Sequence, residues 1–293
     1  MPGLQASDVV VRGSTMRYLA AGSGDPTLFL HGNPTSSFLW RDVLAALRPS
    51  GRRLMALDLI GMGGSGKPEC EYRLVDHIAY VVGFLEALDL RDLTLVGHDW
   101  GVAIALECLR RCPDRVRAVA LMEGHLRPLP GWDAFDEGGR ELFQRLRAPG
   151  TGEQLVLEEN VFIETLLPAG THRTLTAAEH EEYRRPYPTP QSRRPLLAWA
   201  REIPVAGRPA DVADLLTRGV ANLAAAGVPA LLVHGQPGAT VDARAVSWLR
   251  GTMPGLVVAD VGPASHFLPE DRPVEVAAAL SSWWRCPADR RVP

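Results

Sequence analysis

The stretch LTLVGHDWG, residues 93–101, carries more structural information than any other part of this 293-residue chain. Its apolar start predicts a strand over residues 93–97, and a helical pattern over residues 102–112 follows at once. This order is typical of a nucleophile elbow, in which a sharp turn joins a strand to a helix. Glycines lie two positions before and two positions after the residue at the centre of the turn. The residue at the centre of this elbow is Asp99.

An aspartate at this position points to a different reaction from a serine. A carboxylate is ionised at neutral pH and needs no base to activate it. It is suited to displacing a good leaving group from a saturated carbon, and the ester that results has a carbonyl that water can attack. A serine would form an ether that nothing nearby could hydrolyse. Asp99 therefore predicts substitution at saturated carbon followed by hydrolysis.

Strands and helices alternate on both sides of the elbow. The sequence predicts strands over residues 16–21, 27–31, 53–60, 93–97, 116–122, 229–234 and 256–261. It predicts helices over residues 39–47, 75–88, 102–112 and 274–284. Such alternation indicates a mostly parallel sheet covered by helices on both faces.

Residues 128–210 interrupt this alternation. The segment is rich in proline, arginine and glutamate, and it contains short amphipathic pieces at 141–146 and 177–183 but no convincing buried strand. We interpret it as a helical cap domain inserted into a core domain that comprises residues 1–127 and 211–293.

Composition and charge argue against several classes of partner. A net charge of −3 without a long basic run disfavours nucleic acid and anionic membranes. No stretch is long enough for a membrane span, and the first residues lack a signal-peptide pattern. Four cysteines without metal-ligand spacing fit a reducing compartment. We expect a cytoplasmic monomer that requires no metal or organic cofactor.

A glycine-rich run, GMGGSG at residues 61–66, matches a dinucleotide-binding pattern and nearly matches a phosphate-binding loop. Both motifs should open a helix, yet Lys67 and Pro68 follow, and no helical period begins before about residue 75. Pro68 also stands where a phosphate-binding loop needs a hydroxyl. We interpret the run as a flexible loop after a strand.

Two residues offer hydrogen-bond donors for a leaving group. Asn33 follows a predicted strand, so it lies at the same sheet edge as the elbow, and Trp100 adjoins Asp99. Neutral N–H donors in an apolar frame suit a weakly hydrated anion such as chloride or bromide. The backbone N–H groups of the same two residues are the natural donors to an oxyanion formed during ester hydrolysis.

A histidine and an acid complete the predicted chemistry. His266 lies in a loop after the last predicted strand, where it can act as the base that activates water. An acid must orient that histidine and stabilise its charged form. Glu123 directly follows an apolar strand, a costly place for a carboxylate unless it has a partner. We favour Glu123 as the acid and keep Asp242 as the alternative.

Together these motifs resemble the haloalkane dehalogenases of the α/β-hydrolase fold, most closely the subgroup whose acid follows the sixth strand. The resemblance spans about residues 11–284 and is carried by HGNPTSS at 31–37, DLIGMG at 58–63, the elbow, ME at 122–123, NVFIE at 160–164 and GPASHF at 262–267. It implies an eight-stranded, mostly parallel sheet with an inserted cap. It also implies a small halogenated aliphatic substrate, with halide and alcohol as products.

The resemblance assigns roles that agree with the chemistry above. Asp99 is the nucleophile, His266 the base and Glu123 the acid, and Asn33 and Trp100 bind the halide. The resemblance further implies that Phe143, Phe162 and Leu268 line an apolar substrate pocket under the cap.

Three other functions share parts of this pattern. Epoxide hydrolases resemble the chain in fold and elbow but use two cap tyrosines, for which Tyr183 and Tyr187 are candidates, and Asn33 and Glu123 argue against them. A cofactor-free, luciferase-like oxygenase resembles the same scaffold. A non-catalytic small-molecule receptor would not need the complete set of catalytic and halide-binding residues.

Overall fold

The computed structural model describes residues 3–285, which form one eight-stranded sheet flanked by helices. The strands are β1 Gln5–Val11, β2 Ser14–Ala21, β3 Pro26–Leu30, β4 Arg53–Leu57, β5 Leu93–His98, β6 Val116–Met122, β7 Ala230–Pro237 and β8 Val257–Ala264. Their order is β1-β2-β4-β3-β5-β6-β7-β8. Strand β2 runs antiparallel to both neighbours, and all other pairs are parallel. The predicted mostly parallel, eight-stranded sheet is confirmed.

The helices follow the strands in the predicted alternation. The α-helices are α1 Arg41–Leu47, α2 Leu74–Ala87, α3 Trp100–Arg111, α4 Glu137–Arg147, α5 Thr151–Glu153, α6 Leu167–Ala169, α7 Ala177–Arg184, α8 Arg194–Glu202, α9 Ala210–Ala226, α10 Ala243–Thr252, α11 Leu268–Asp271 and α12 Pro273–Arg285. Short 3₁₀ turns cover Ser37–Trp40, Arg48–Ser50, Pro113–Arg115, Trp132–Ala134 and Gln191–Arg193, and π-helical turns cover Gln154–Glu158 and Phe162–Leu166. Helix α1 packs against α12, and α3 packs against α2 and α9.

The strand before the elbow lies at the centre of the sheet, and its burial there produces the apolar run that the sequence shows. All six residues of β5 are buried, and β6 beside it is buried at six of its seven positions. Strands buried on both faces appear as continuous apolar runs. The carboxyl ends of β3, β5 and β6 therefore bring the chain segments that follow them to one edge of the sheet, where the site described below lies.

Several elements were not predicted, among them strand β1 and helices α9 and α10. Strand β1 lies at the sheet edge and buries only Val11 fully, so its apolar signal is weak. Helix α9 directly follows the segment that contains no predicted strand, and helix α10 lies between β7 and β8.

The glycine-rich run at residues 61–66 opens no helix, because the next helix begins at Leu74. The loop instead folds back on the sheet edge: Gly66 N donates to Thr15 O at 2.8 Å, and Gly64 N donates to the Asp58 carboxylate at 2.7 Å. No helix follows it directly, and five of its six backbone N–H groups donate within the protein, so the loop lacks the helix N-terminus and the set of free donors that bind a nucleotide phosphate.

Between β6 and α9 the described chain contains helices α4 to α8, the two π-helical turns and no strand of the sheet. The two ends of this segment meet, since Leu129 N donates to Pro204 O at 2.9 Å and Ala206 N donates to Leu129 O at 3.0 Å. Adjacent ends are what an inserted unit needs, and we propose residues 128–210 as the cap.

A buried charge cluster ties this cap to the core. Both oxygens of Glu270, whose side chain is fully buried, accept from Arg41, at 2.5 and 2.8 Å. Arg173 and the hydroxyl of Tyr183, both from the cap, donate to the same carboxylate. Glu179 accepts from both arginines, at 2.8 Å each. One core carboxylate thus holds two segments of the cap.

Three further findings concern the described residues. No helix in the range 3–285 is long and apolar enough to cross a membrane. Cys70, Cys108 and Cys112 are free thiols, and Cys286 lies outside the described residues. No group of three or more histidine, cysteine or acidic side chains in this part of the chain is arranged to hold a metal ion.

Candidate active site

The turn after β5 holds Asp99 in a strained backbone conformation, with φ 52° and ψ −124°. The turn is so sharp that other backbone atoms approach its two glycines, Gly97 and Gly101, closely. A Cβ on Gly101 would lie 2.1 Å from the carbonyl oxygen of Leu30, which only glycine avoids. Asp99 lies directly before α3, so its carboxylate projects at the edge of the sheet as the sequence predicted.

The carboxylate of Asp99 is almost fully buried, with 7% of its side chain exposed. Its Oδ2 accepts a hydrogen bond from the backbone N–H of Asn33 at 2.8 Å. Its Oδ1 lies 3.8 Å from Nε2 of His266. A Cβ on Gly32 would lie 2.2 Å from Oδ2, so the loop after β3 can approach the carboxylate only with glycine at that position. The two oxygens therefore have different neighbours.

His266 lies between the two candidate carboxylates, in the loop that joins β8 to α11. Its Nδ1 is 3.5 Å from Oε2 of Glu123, and its Nε2 faces Asp99. Burial lowers the pKa of His266, but the close approach of the Glu123 carboxylate and the negative charges of Glu123 and Asp99 outweigh that effect, so the pKa is raised above its usual value.

Glu123 is fully buried directly after β6, in a left-handed backbone conformation with φ 46°. Its Oε2 accepts from the backbone N–H groups of Ala239 and Thr240 at 2.9 and 2.8 Å and from the Thr240 hydroxyl at 3.1 Å. Asp242, the alternative acid, instead caps α10 by accepting from Ala245 N at 2.8 Å. The structure therefore brings Glu123, and not Asp242, to His266.

Two buried histidines support the site without lining it. His98 Nε2 donates to the backbone carbonyl of His266 at 2.8 Å, and burial lowers the pKa of His98 well below its usual value. His31 Nε2 accepts from Leu59 N at 3.0 Å while its Nδ1 donates to Gly32 O at 2.9 Å. Both rings are neutral hydrogen-bonding parts of the scaffold.

Sequence reasoning missed the residue that joins the cap to the His266 loop. Asp271 accepts from Ser265 N at 2.9 Å through one oxygen. Its other oxygen accepts from His172 N at 2.7 Å and Arg173 N at 3.1 Å, both in the cap segment. No local sequence pattern predicts this contact, because the two positions are about 100 residues apart in the chain and only the fold brings them together.

A cavity of about 270 Å³ lies over Asp99, between the sheet edge and the cap. Most of its wall is apolar. The lining residues are Asn33, Pro34, Asp99, Trp100, His125, Phe135, Leu142, Phe143, Phe162, Leu166, Gly170, Trp199, Ala200, Ile203, Ala239, Thr240, His266 and Phe267. A mostly apolar cavity of this size fits a small apolar ligand.

The structure brings two of the three predicted pocket residues to this wall. Phe143 and Phe162 line the cavity, whereas the expectation for Leu268 is wrong. Leu268 is fully buried as the first residue of α11, and the neighbouring Phe267 lines the cavity instead. The chain turns into α11 at this point, which directs adjacent side chains to different sides.

Both predicted halide donors line the cavity beside Asp99. The Trp100 ring stacks on that of Trp199, with centroids 4.9 Å apart. Its indole N–H has no protein acceptor among the described residues. The side-chain amide of Asn33 makes only a long contact of 3.4 Å, from Nδ2 to Leu196 O. Both donors are therefore available to a ligand.

The two cap tyrosines do not line the cavity. The Tyr183 hydroxyl donates to Glu270 in the charge cluster. Tyr187 is fully buried, and its hydroxyl has no hydrogen-bond partner among the described residues. Neither tyrosine is placed to protonate an oxygen of a ligand over Asp99.

Comparison with known proteins gives a consistent result. Residues 25–273 match the family model described as alpha/beta hydrolase fold. A haloalkane dehalogenase of Mesorhizobium japonicum is 44% identical, over 94% of this chain and 90% of that protein. One of Bradyrhizobium diazoefficiens is 41% identical, over 93% of this chain and 92% of its own length.

Solved structures agree with the sequence comparison. The crystal structure of haloalkane dehalogenase DbeA from Bradyrhizobium elkani has a TM-score of 0.92 and 39% identity, covering 96% of this chain and 97% of that one. The structure of haloalkane dehalogenase DatA from Agrobacterium tumefaciens has a TM-score of 0.91 and 39% identity, covering 96% of each chain. The chain thus belongs to the haloalkane dehalogenases of the α/β-hydrolase fold, hydrolases that act on carbon–halide bonds.

Proposed function

We propose that this protein hydrolyses small haloalkanes to alcohol, halide and a proton through an alkyl ester on Asp99. The observation that carries the proposal is the placement of one buried carboxylate between a backbone donor and a histidine, at the floor of an apolar cavity. A buried carboxylate with few donors is poorly solvated and is therefore a stronger nucleophile than one in water. Holding the substrate over it removes the entropic cost of encounter.

In the first step an oxygen of Asp99 attacks the carbon that bears the halogen, and the carbon–halogen bond breaks as the carbon–oxygen bond forms. Oδ1 is the better candidate, because Oδ2 already accepts from Asn33 N. The departing halide takes up the electron pair beside the indole N–H of Trp100 and the side-chain amide of Asn33. These fixed donors stabilise the charge that develops on the halogen in the transition state.

In the second step water attacks the carbonyl carbon of the ester. Oδ2 becomes the oxyanion, and the Asn33 N–H that already contacts it at 2.8 Å stabilises the negative charge. His266 accepts the proton from water through Nε2, and Glu123 stabilises the imidazolium through Nδ1. Collapse of the intermediate breaks the bond between the carbonyl carbon and the alkoxide oxygen, and the alkoxide leaves as alcohol with the proton from His266. The carboxylic acid of Asp99 then loses its proton, which restores the carboxylate.

The charge of Asp99 also adjusts the basicity of His266 between the steps. In the free protein the carboxylates raise the pKa of His266 against the opposing effect of burial. Esterification removes the charge of Asp99 and with it one cause of the raised pKa. The pKa of His266 is therefore lower in the ester, so the neutral form needed for base catalysis becomes more populated when hydrolysis requires it.

Epoxide hydrolysis is the alternative function, and the placement of the tyrosines weighs against it. An epoxide opened by Asp99 needs an acid at its oxygen, and the hydroxyls of Tyr183 and Tyr187 are held away from the cavity. The available donors, Asn33 and Trp100, suit an anion that leaves without a proton.

The decisive test is His266→Phe with 1-bromobutane. We expect one equivalent of bromide per protein, followed by arrest with a butyl group on the tryptic peptide that contains Asp99. His172→Phe, which changes an exposed histidine of the cap, is the matched control and should turn over repeatedly. Repeated turnover by His266→Phe, or bromide release with an unmodified peptide, would contradict the mechanism.

A further inference from the structure

His125 is the one titratable side chain of the cavity wall to which the mechanism above gives no role. It lies two residues after Glu123, in the loop that leaves β6 for the cap. Its ring lines the catalytic cavity and also a second cavity of about 390 Å³ next to it. Phe135, Ala239 and Thr240 form the rest of the shared wall. His125 thus lies in the partition between two open spaces.

The ring of His125 is held by packing and not by hydrogen bonds. Its centroid is 5.4 Å from that of Trp100, the proposed halide donor, at an angle of 53°. Neither ring nitrogen has a hydrogen-bond partner among residues 3–285. Neither belongs to the fully buried atoms that lack a partner, so both reach open space in the cavities that the ring lines.

The protonation state of this ring follows from its surroundings. Burial lowers the pKa of His125, and the charges of Asp99 and Glu123 only partly offset that effect. The ring is therefore neutral at neutral pH, with one nitrogen as donor and the other as acceptor. A neutral imidazole without a protein partner is a hydrogen-bonding group that a ligand can use.

The other polar groups of the catalytic cavity already have partners or proposed roles. Asp99 and His266 face each other, and the Thr240 hydroxyl donates to Glu123. Asn33 and Trp100 face the leaving group. His125 alone adds a polar atom to a wall that is otherwise apolar around the carbon chain of a substrate.

We propose that His125 is a hydrogen-bonding subsite of the catalytic cavity that binds a hydroxyl or ether oxygen on the carbon chain of the substrate. Short halogenated alcohols and ethers then gain a contact in the cavity that plain haloalkanes of the same length lack. This inference rests on the proposed function, because it places the carbon–halogen bond of the same substrate at Asp99. Because the ring contacts Trp100, the oxygen lies within a few bonds of the leaving halogen.

Two matched substrate pairs test the subsite. In the first pair, 2-bromoethanol carries a hydroxyl where 1-bromopropane carries its terminal methyl group. In the second pair, 3-bromo-1-propanol is related to 1-bromobutane in the same way. The measured quantity is the ratio of kcat/KM for the alcohol to kcat/KM for the alkane, from bromide release. His125→Phe keeps an aromatic ring against Trp100 and removes both nitrogens, and His125→Leu removes them with a different shape. Phe135→Leu alters the same partition without changing a polar atom and serves as the control.

We expect the ratio to fall by about three- to tenfold in both His125 variants, the range of one neutral hydrogen bond, and to stay within about twofold in Phe135→Leu. A melting temperature close to that of the parent protein verifies that each variant is folded. An unchanged ratio in both His125 variants, with bromide still released from 1-bromobutane, overturns the subsite and leaves the proposed function standing. An equal fall in Phe135→Leu overturns it as well, because cavity shape would then explain the preference. No bromide from any of the four substrates with the parent protein overturns the proposed function together with the subsite.

Discussion

Nδ1 of His266 lies 3.5 Å from Oε2 of Glu123, and the two residues come from loops that follow different strands. Strand β6 carries Glu123 and β8 carries the histidine loop, with β7 between them in the sheet. The same oxygen of Glu123 accepts from the N–H groups of Ala239 and Thr240 after β7. Three neighbouring strands thus determine one contact between an acid and a base.

This contact predicts that Glu123→Gln lowers kcat by about 100-fold or more, since the amide cannot stabilise the imidazolium. Asp242→Asn is the matched control, because asparagine also caps a helix and Asp242 serves α10. We expect kcat of the control to stay within about twofold. Steady-state bromide release with both variants measures the difference, and the opposite order of effects would move the acid role to Asp242.

The raised pKa of His266 predicts how turnover depends on pH. Ester hydrolysis needs neutral His266, whereas alkylation of Asp99 does not. As pH falls through the pKa of His266 in the ester, the imidazole becomes protonated and kcat falls. The kcat/KM for a bromoalkane reports on alkylation and should show no such decline. Stopped-flow bromide measurements over about pH 5 to 9 test this, and parallel declines of kcat and kcat/KM would contradict it.

Trp100→Phe should lower kcat/KM for 1-chlorobutane by about 100-fold, because it removes a donor aimed at the leaving halide and keeps an aromatic ring against Trp199. Trp199→Phe is the control, since the indole N–H of Trp199 already donates to Met62 Sδ at 3.4 Å. We expect less than about a tenfold change in that variant. Equal losses in the two variants would indicate a packing effect and not a halide donor.

Asp271→Asn tests the connection between the cap and the catalytic loop. In this variant an NH₂ group, which cannot accept a hydrogen bond, replaces one of the two carboxylate oxygens. Depending on the orientation of the amide, this group faces either the backbone N–H of Ser265 or those of residues 172 and 173. We expect a loss of about 1 to 2 kcal/mol in the free energy of unfolding. Hydrolysis should slow more than alkylation, because the His266 loop loses an anchor.

Urea unfolding and the ratio of bromide burst to steady-state rate measure these two effects. Glu275→Gln, which removes a surface ion pair with Arg272 at 2.8 Å, is the control and should change neither quantity appreciably. A stability loss in Asp271→Asn without a change in that ratio would limit the residue to a structural role.

The chain order of elements was largely readable from the sequence, because the signals are local. Residues 93–101 combine a buried strand, a tight turn and a helix start, and each of these leaves a short-range pattern. The exposed edge strand β1 escaped prediction because only one of its residues is fully buried, which leaves little apolar contrast.

The sequence by itself predicted the type of chemistry, since Asp99 at the elbow and the proposed donors Asn33 and Trp100 lie in recognisable local motifs. Only the tertiary structure decided which acid faces His266, because strand order brings Glu123 there while Asp242 is used as a helix cap. It also decided which residues line the cavity. Side-chain direction at a loop, as for Phe267 against Leu268, depends on packing with elements far away in the chain, which a short-range pattern cannot record.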